Sequence, residues 1–322
     1  MVKEYQNETH ISGLPTEQRN PKSQGITSMT PIEILQKINE FDGTVAGAVR
    51  EVLPEVDRAV ELVVERMRRG GRLIYAGAGT SGRLGYMDAA ECSPTYGVSN
   101  VLCIMAGGRD AVFTPRETLE DEKESAARDL KSVELKSQDI VFAAAASGRT
   151  PYCIGALEYA REVGAGRVSL SCNQHAAMSS YAEVAIEVNT GPEFIMGSTR
   201  MKAGTAQKMV MNMISTTAMI QLGHTYDNLM IKLRCSNQKG KNRAVRLVCE
   251  AIGRHDPQYA RQILDEANGD VCVATLMELS GANRETVNES LVRHGNSFKE
   301  TLEELNKIYS PWFREIFEGD KQ

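Results

Sequence analysis

The sequence predicts an α/β fold: a three-layer domain around a parallel sheet, flanked by N-terminal helices and a small C-terminal helical bundle. Between residues 72 and 188, five short apolar runs ending in Gly, Ser or a polar residue alternate with helix-length amphipathic segments. The runs are nearly continuous rather than alternating in hydrophobicity, as expected of strands covered on both faces by helices. On either side of this region the apolar residues recur at helical spacing.

Composition sets the outer limits. The 322 residues carry 37 Lys and Arg against 42 Asp and Glu, a formal net charge of −5, and are 42% hydrophobic. These values exclude a disordered chain and give no global attraction to nucleic acid or to an anionic membrane. The seven cysteines are scattered with no C-x-x-C pair, and the five histidines form no H-x-x-x-H. Neither a disulfide scaffold nor a metal site is expected, and thiols of this kind suit a reducing compartment. The N-terminus is polar and lacks the apolar core of a signal peptide, and no apolar run approaches the roughly 18 residues of a membrane span. A cytoplasmic protein without membrane or nucleic-acid partners is expected.

The elements follow in order. Residues 1–60 read as an arm and helices, the first 29 being polar and turn-rich. Thr30-Pro31-Ile32-Glu33 supplies an N-cap, a proline at N1 and a glutamate at N3, a capping box. Helices are expected at 31–41, at 43–52, and from Pro54 to the stop at Gly70-Gly71. Residues 61–225 form the main domain. Its strands are RLIYAGAG (72–79), VLCIMAGG (101–108), DIVFAAAASG (139–148), RVSLSCN (167–173) and AEVAIEV (182–188), with helices at 81–90, 116–132 and 151–164. A long helix follows at 200–222, whose methionines read as core filler rather than as a cofactor site. Connecting helices are expected at 225–234 and 241–253, within 226–254. Three short helices, 256–267, 270–280 and 283–293, read as a small bundle over 255–296, and the tail, 297–322, holds the only tryptophan, Trp312.

Ligands of open parallel sheets bind beyond the carboxyl ends of the strands. There the sequence places Gly77-Ala78-Gly79-Thr80-Ser81-Gly82-Arg83, which opens a helix. Gly79 lets the backbone turn, the helix N-terminus favours an anion, and Thr80 and Ser81 add hydroxyl donors. The spacing also fits G-x-G-x-x-G, but the second strand ends in Met105-Ala106-Gly107-Gly108, without the carboxylate that holds a dinucleotide ribose. A P-loop fails as well, since Arg83-Leu84 stand where Lys and Ser/Thr are needed. A second hydroxyl-rich strand end, Ser147-Gly148-Arg149-Thr150-Pro151, again opens a helix, and Ser171-Cys172-Asn173 offers a third polar rim. Together these segments suit a sugar phosphate bound without metal; the alternative is three unrelated structural turns.

Carboxylates supply the remaining chemistry. Glu91 stands in Asp88-Ala89-Ala90-Glu91-Cys92-Ser93-Pro94, where the helix from the first turn is expected to end. Glu117, Glu120 and Glu124 fall at i, i+3 and i+7 of the next expected helix, hence on one face. That face is equally a solvated charged surface.

The segments GAGTSGR (77–83), ECSPTYGV (91–98), ASGRTPY (146–152) and GSTRMKAGTAQKMVMNMIST (197–216) together resemble the N-acetylmuramic acid 6-phosphate etherase family, within the sugar isomerase (SIS) domain superfamily. The resemblance runs from Arg19-Asn20-Pro21 to the small C-terminal bundle. Ser93 and Tyr96 depart from the Pro and Phe that family members tend to carry, and the extension after about 297 is atypical. The resemblance implies a flavodoxin-like SIS domain, usually a homodimer with the site near its interface, and no cofactor. It implies cleavage of the D-lactyl ether of N-acetylmuramic acid 6-phosphate to N-acetylglucosamine 6-phosphate and D-lactate. It maps the two catalytic glutamates to Glu91 and Glu120, with Glu117 as a neighbour, and the phosphate-binding hydroxyls to Thr80, Ser81, Ser147 and Thr150. Gly79, Gly148 and Asn173 complete the expected substrate contacts. Two other functions remain on the same fold: an aldose–ketose isomerase, which also needs a base near C2, and a non-catalytic sugar-phosphate sensor. Sensors of that type often append a DNA-binding helix-turn-helix, and residues 1–60 contain no basic recognition helix.

Overall fold

The computed structural model describes residues 13–233 and 238–309, with the backbone alone at Glu117 and Lys239. The chain divides into two compact units, one formed by Met1–Ala90 with Asn100–Thr216, the other by Glu91–Ser99 with Thr217–Gln322.

The first unit opens with helices α1 (Pro31–Asp42), α2 (Val45–Arg50) and α3 (Leu53–Arg68). The capping box is present: Glu33 accepts from the Thr30 hydroxyl at 2.6 Å and its backbone N–H at 2.7 Å, and these two donors hold its carboxyl below the usual range. Then come β1 (Leu73–Gly77), α4 (Gly79–Tyr96), β2 (Val101–Met105) and a short α5 (Asp110–Phe113). After them run α6 (Lys123–Ser132), β3 (Ile140–Ala144), α7 (Pro151–Val163), β4 (Gly166–Ser171), β5 (Val184–Glu187) and α8 (Lys202–Gln221). The five strands form one parallel sheet in the order β2-β1-β3-β4-β5, with Leu73 opposite both Val101 and Ile140. Every residue of β1 and of β3 is buried, which explains their unbroken apolar sequence. Register is pinned at the start of these strands. The buried Asp139 carboxylate accepts from the Arg72 backbone N–H, the Arg72 guanidinium and the Lys136 N–H. From β1 the chain crosses to β2 on one side and later to β3 on the other, so the order reverses between β1 and β3. Open parallel sheets bind ligands at such a reversal.

Three expected helices are corrected. The segment 116–132 is not one helix: a 3-10 turn, Glu117–Asp121, precedes α6, and Glu122 between them has ψ 87°. Glu117, Glu120 and Glu124 therefore do not share a helical face. The helix expected to end near residue 90 continues to Tyr96 with Pro94 inside it; the lost proline N–H costs one backbone bond, which the chain tolerates near its last turn. No helix forms over 225–233, where Tyr226 bridges Leu229 and Asp227 adopts φ 48°.

In the second unit, α9 (Gln238–Ile252), α10 (Pro257–Glu266), α11 (Val271–Ser280), α12 (Arg284–Arg293) and α13 (Phe298–Tyr309) share one core that includes Val248, Ile263, Leu276, Val287, Phe298 and Leu305. Asp256, Asp270 and Asn283 cap the three middle helices through backbone N–H groups. Trp312 and Cys235 lie outside the described residues, and the other six cysteines are free thiols. Among the described residues, no helix is long and apolar enough to cross a membrane.

Candidate active site

A cavity of about 460 Å³ lies at the carboxyl ends of the strands of the first unit, and all the residues lining it belong to that unit. The turn after β1 contributes Gly79, Thr80, Ser81 and Arg83. Because α4 begins at Gly79, the N–H groups of its first turn have no intrahelical acceptor, and Ser81 is buried among them. The helix comes close to the sheet here: a Cβ at Gly82 would fall 2.7 Å from Met105 Cβ. These are the conditions of an anion site at a helix N-terminus.

The turn after β3 contributes Ser147 and Thr150. The Ser147 hydroxyl oxygen accepts from the Arg149 N–H at 3.3 Å, which leaves its proton available to a ligand. Thr150 is the N-cap of α7, yet its side chain makes no capping bond, and Pro151 takes the first helical position. Gly148 is buried at φ 69°, and a Cβ there would lie 2.4 Å from Ala176 Cβ, so only glycine fits this bend. The opposing loop is fixed in turn by Glu187 at the end of β5, which accepts from His175 N–H, Ala176 N–H and the Ser179 hydroxyl at 2.6–2.9 Å. Burial pushes the Glu187 carboxyl up, but these donors outweigh it and leave it below the ordinary value.

The loop after β2 brings Pro115, Arg116 and Glu120 to the cavity. Arg83 ties this loop to α4: its Nε donates to Val112 O and its Nη2 to Ala111 O, both at 2.9 Å. Glu120 stands on the 3-10 turn, and its charge, after burial itself, helps push the Cys153 thiol up to about 12.

Gly197 and Thr199 line the cavity from the segment before α8. That segment is anchored by Glu193, whose carboxylate is fully buried and accepts from the N–H groups of Lys202 and Ala203 at 2.9 Å. Burial holds the Glu193 carboxyl above its usual range despite these donors and Lys202.

Of the residues expected from sequence, Gly79, Thr80, Ser81, Ser147, Thr150 and Glu120 therefore meet in one cavity. Gly148 shapes the turn without lining it. Asn173 is fully buried and does not line it either: its Nδ2 donates to Thr16 Oγ1 at 2.9 Å and to Ala146 O at 3.0 Å, and its Oδ1 accepts from Thr16 N–H. Glu91 is exposed, belongs to the second unit and is not among the lining residues. The backbone of Glu117 lies in the same 3-10 turn as Glu120; its side chain is outside the described residues. Sequence reasoning missed Glu17 and Arg116, which line the cavity, and Glu193, which holds one edge. Among the described residues, no group of three or more His, Cys, Asp or Glu gathers as a metal-ligand set.

The sequence matches the profile of the glucokinase regulatory protein N-terminal SIS domain over residues 55–161 and that of the SIS domain over residues 122–217. It is 46% identical over 294 residues to an N-acetylmuramic acid 6-phosphate etherase of Mycolicibacterium smegmatis, covering 91% of this chain and 98% of that protein. The protein of the same name in Geobacillus sp. (strain WCH70) is 48% identical, covering 91% of this chain and all of the relative. In Clostridium beijerinckii the corresponding figures are 44%, 92% and 98%. With the parallel SIS sheet in place and identity of this level along nearly the whole chain, the protein belongs to the N-acetylmuramic acid 6-phosphate etherase family.

Proposed function

We propose that this protein is a carbon–oxygen lyase that cleaves the D-lactyl ether of N-acetylmuramic acid 6-phosphate, and that the cavity of the first unit holds the substrate. Relatives bearing that name cover almost the whole chain and supply the activity. One observation supports the location: hydroxyls from two separate strand–turn–helix junctions, at Thr80, Ser81, Ser147 and Thr150, meet in one cavity together with Glu120. Phosphate would sit against these hydroxyls and the first-turn N–H groups of α4, where charge-assisted hydrogen bonds to an anion are strongest.

The sugar would then react in its open form. An aldehyde at C1 makes the C2 proton acidic, and a base that removes it allows lactate to leave from C3. A proton reaches the ether oxygen as the bond breaks. Water adds to the resulting unsaturated aldehyde at C3, C2 is reprotonated, and N-acetylglucosamine 6-phosphate and D-lactate result. Glu120, on the cavity wall, is the base at C2 in this reading. The resemblance assigns Glu91 as the acid that protonates lactate and then activates water. That role requires Glu91 to reach the substrate, from this chain or from a second copy of it. Ile32 and Leu35, one turn apart on α1 and each about 60% exposed, support a homodimer. The reading includes action in the cytoplasm, within amino sugar catabolism and peptidoglycan recycling, and no cofactor.

Coupled detection of D-lactate from N-acetylmuramic acid 6-phosphate, after exhaustive EDTA treatment, tests the proposal. Stoichiometric lactate is expected, with little turnover of the unphosphorylated sugar. An aldose–ketose isomerase would give no lactate, a sensor would bind without turnover, and either outcome would replace this reading.

A further inference from the structure

We infer that Glu17 is a substrate-contacting carboxylate that accepts hydrogen bonds from a hydroxyl or amide N–H of the sugar, away from its phosphate. The inference rests on the cavity being the sugar-phosphate site proposed above, and it assigns a residue of the N-terminal arm to that site. Glu17 lines the same cavity as Thr80, Ser81, Ser147, Thr150, Arg116 and Glu120.

Its position is built rather than incidental. Pro15–Glu17 form a 3-10 turn, and Thr16 in its centre is fully buried. Asn173 accepts from the Thr16 N–H, donates to the Thr16 hydroxyl oxygen and also donates to Ala146 O, next to the hydroxyl-bearing Ser147. Further along, the buried Asn20 donates from its Nδ2 to Pro192 O. The arm is thus stapled to the strand-end loops on both sides of Glu17. Gly197, at φ 74°, leaves room for the carboxylate: a Cβ there would lie 3.3 Å from Glu17 Oε2.

The chemistry of the group decides what it would hold. The Glu17 carboxylate makes no hydrogen bond or ion pair with the described residues. An ionised carboxylate only accepts hydrogen bonds, and beside a phosphate dianion it would meet like charge. The neutral donors of the substrate are its hydroxyls and its acetamido N–H. A carboxylate fixed in the cavity wall therefore serves the sugar and selects for those donors.

Steady-state kinetics of Glu17→Gln and Glu17→Ala, with inorganic phosphate as a competitive inhibitor and Ser81→Ala as reference, test this. Glu17→Ala is expected to raise KM for N-acetylmuramic acid 6-phosphate roughly 10–150-fold, with a smaller change in kcat. The phosphate inhibition constant should stay level or fall, since a like charge has been removed. Glu17→Gln keeps the shape of the side chain and should lose affinity in the same direction, which preserves the test if the alanine variant does not fold. Wild-type KM in both variants overturns the inference. A KM rise matched by an equal weakening of phosphate inhibition also overturns it, because Glu17 would then only prop the cradle. If Ser81→Ala leaves phosphate inhibition unchanged, the underlying reading of the cavity fails instead, whatever Glu17 does.

Discussion

The cavity is walled by two regions that are made in different ways. The turns after β1 and β3 are local: a strand ends, the chain bends, and a helix begins within a few residues, so Thr80, Ser81, Ser147 and Thr150 are placed by the backbone beside them. The wall containing Glu17 is assembled across the chain. Thr16 and Asn173 are separated by 157 positions, and the two hydrogen bonds between them tie the arm to the loop after β4. Local walls are held by every bond of the strand and helix they join, whereas an arm held by a few polar contacts detaches when one of them goes. On the proposed reading, the local turns would hold the phosphate while a separately anchored segment meets the rest of the sugar.

Two substitutions separate the regions. If the phosphate binds at Ser81 as proposed, Ser81→Ala removes one of its donors, which costs about 1.5–3 kcal/mol, or roughly 10–150-fold in phosphate affinity. Stability should change little, and inhibition of the enzyme by inorganic phosphate reads the effect directly. Equal inhibition of wild type and variant would break the comparison, since the local turn would then hold no anion. Asn173→Ala acts on the other wall. It leaves the Thr16 N–H and hydroxyl without their buried partner, while the Ala146 carbonyl keeps the Cys172 N–H, for about 1–3 kcal/mol of stability, measurable by urea unfolding. Proteolysis within the first 30 residues should accelerate, while phosphate inhibition stays near wild type. Loss of phosphate inhibition in this variant would mean that the two walls are not independent.

The same contrast explains what the sequence made legible. Strand ends followed by Gly, Ser and Thr are local patterns, so the sheet, its order of strands and helices, and the five cavity residues Gly79, Thr80, Ser81, Ser147 and Thr150 could be read directly, whereas Glu120 came from the resemblance. The break at Glu122 was not legible, because the glutamate spacing of a 3-10 turn followed by a helix looks like that of one continuous helix. Asn173 was read as a rim residue since it stands at the end of the apolar run 167–173, just past β4, but an asparagine can bond inward as readily as outward, and Thr16 claims it. Glu17 is carried by its neighbour Thr16, whose partner Asn173 lies 157 positions away, and Glu193 accepts from Lys202 and Ala203 across a loop of irregular backbone; neither carries a periodic signature. Glu91 remains an assignment from the resemblance: it lies within α4, beyond the expected end of that helix, and no sequence pattern says what it meets.

On the proposed function, this cavity holds the sugar and Glu120 is the base at C2. Solvent deuterium incorporation at C2 of N-acetylglucosamine 6-phosphate, which has no lactyl group to lose, isolates that step. General-base removal typically costs about 10²–10⁴-fold in rate. Glu120→Ala should lose most of the exchange, whereas Glu91→Ala, blocked only at the leaving group, should retain measurable exchange while releasing no lactate. Exchange at the wild-type rate in Glu120→Ala would contradict the account.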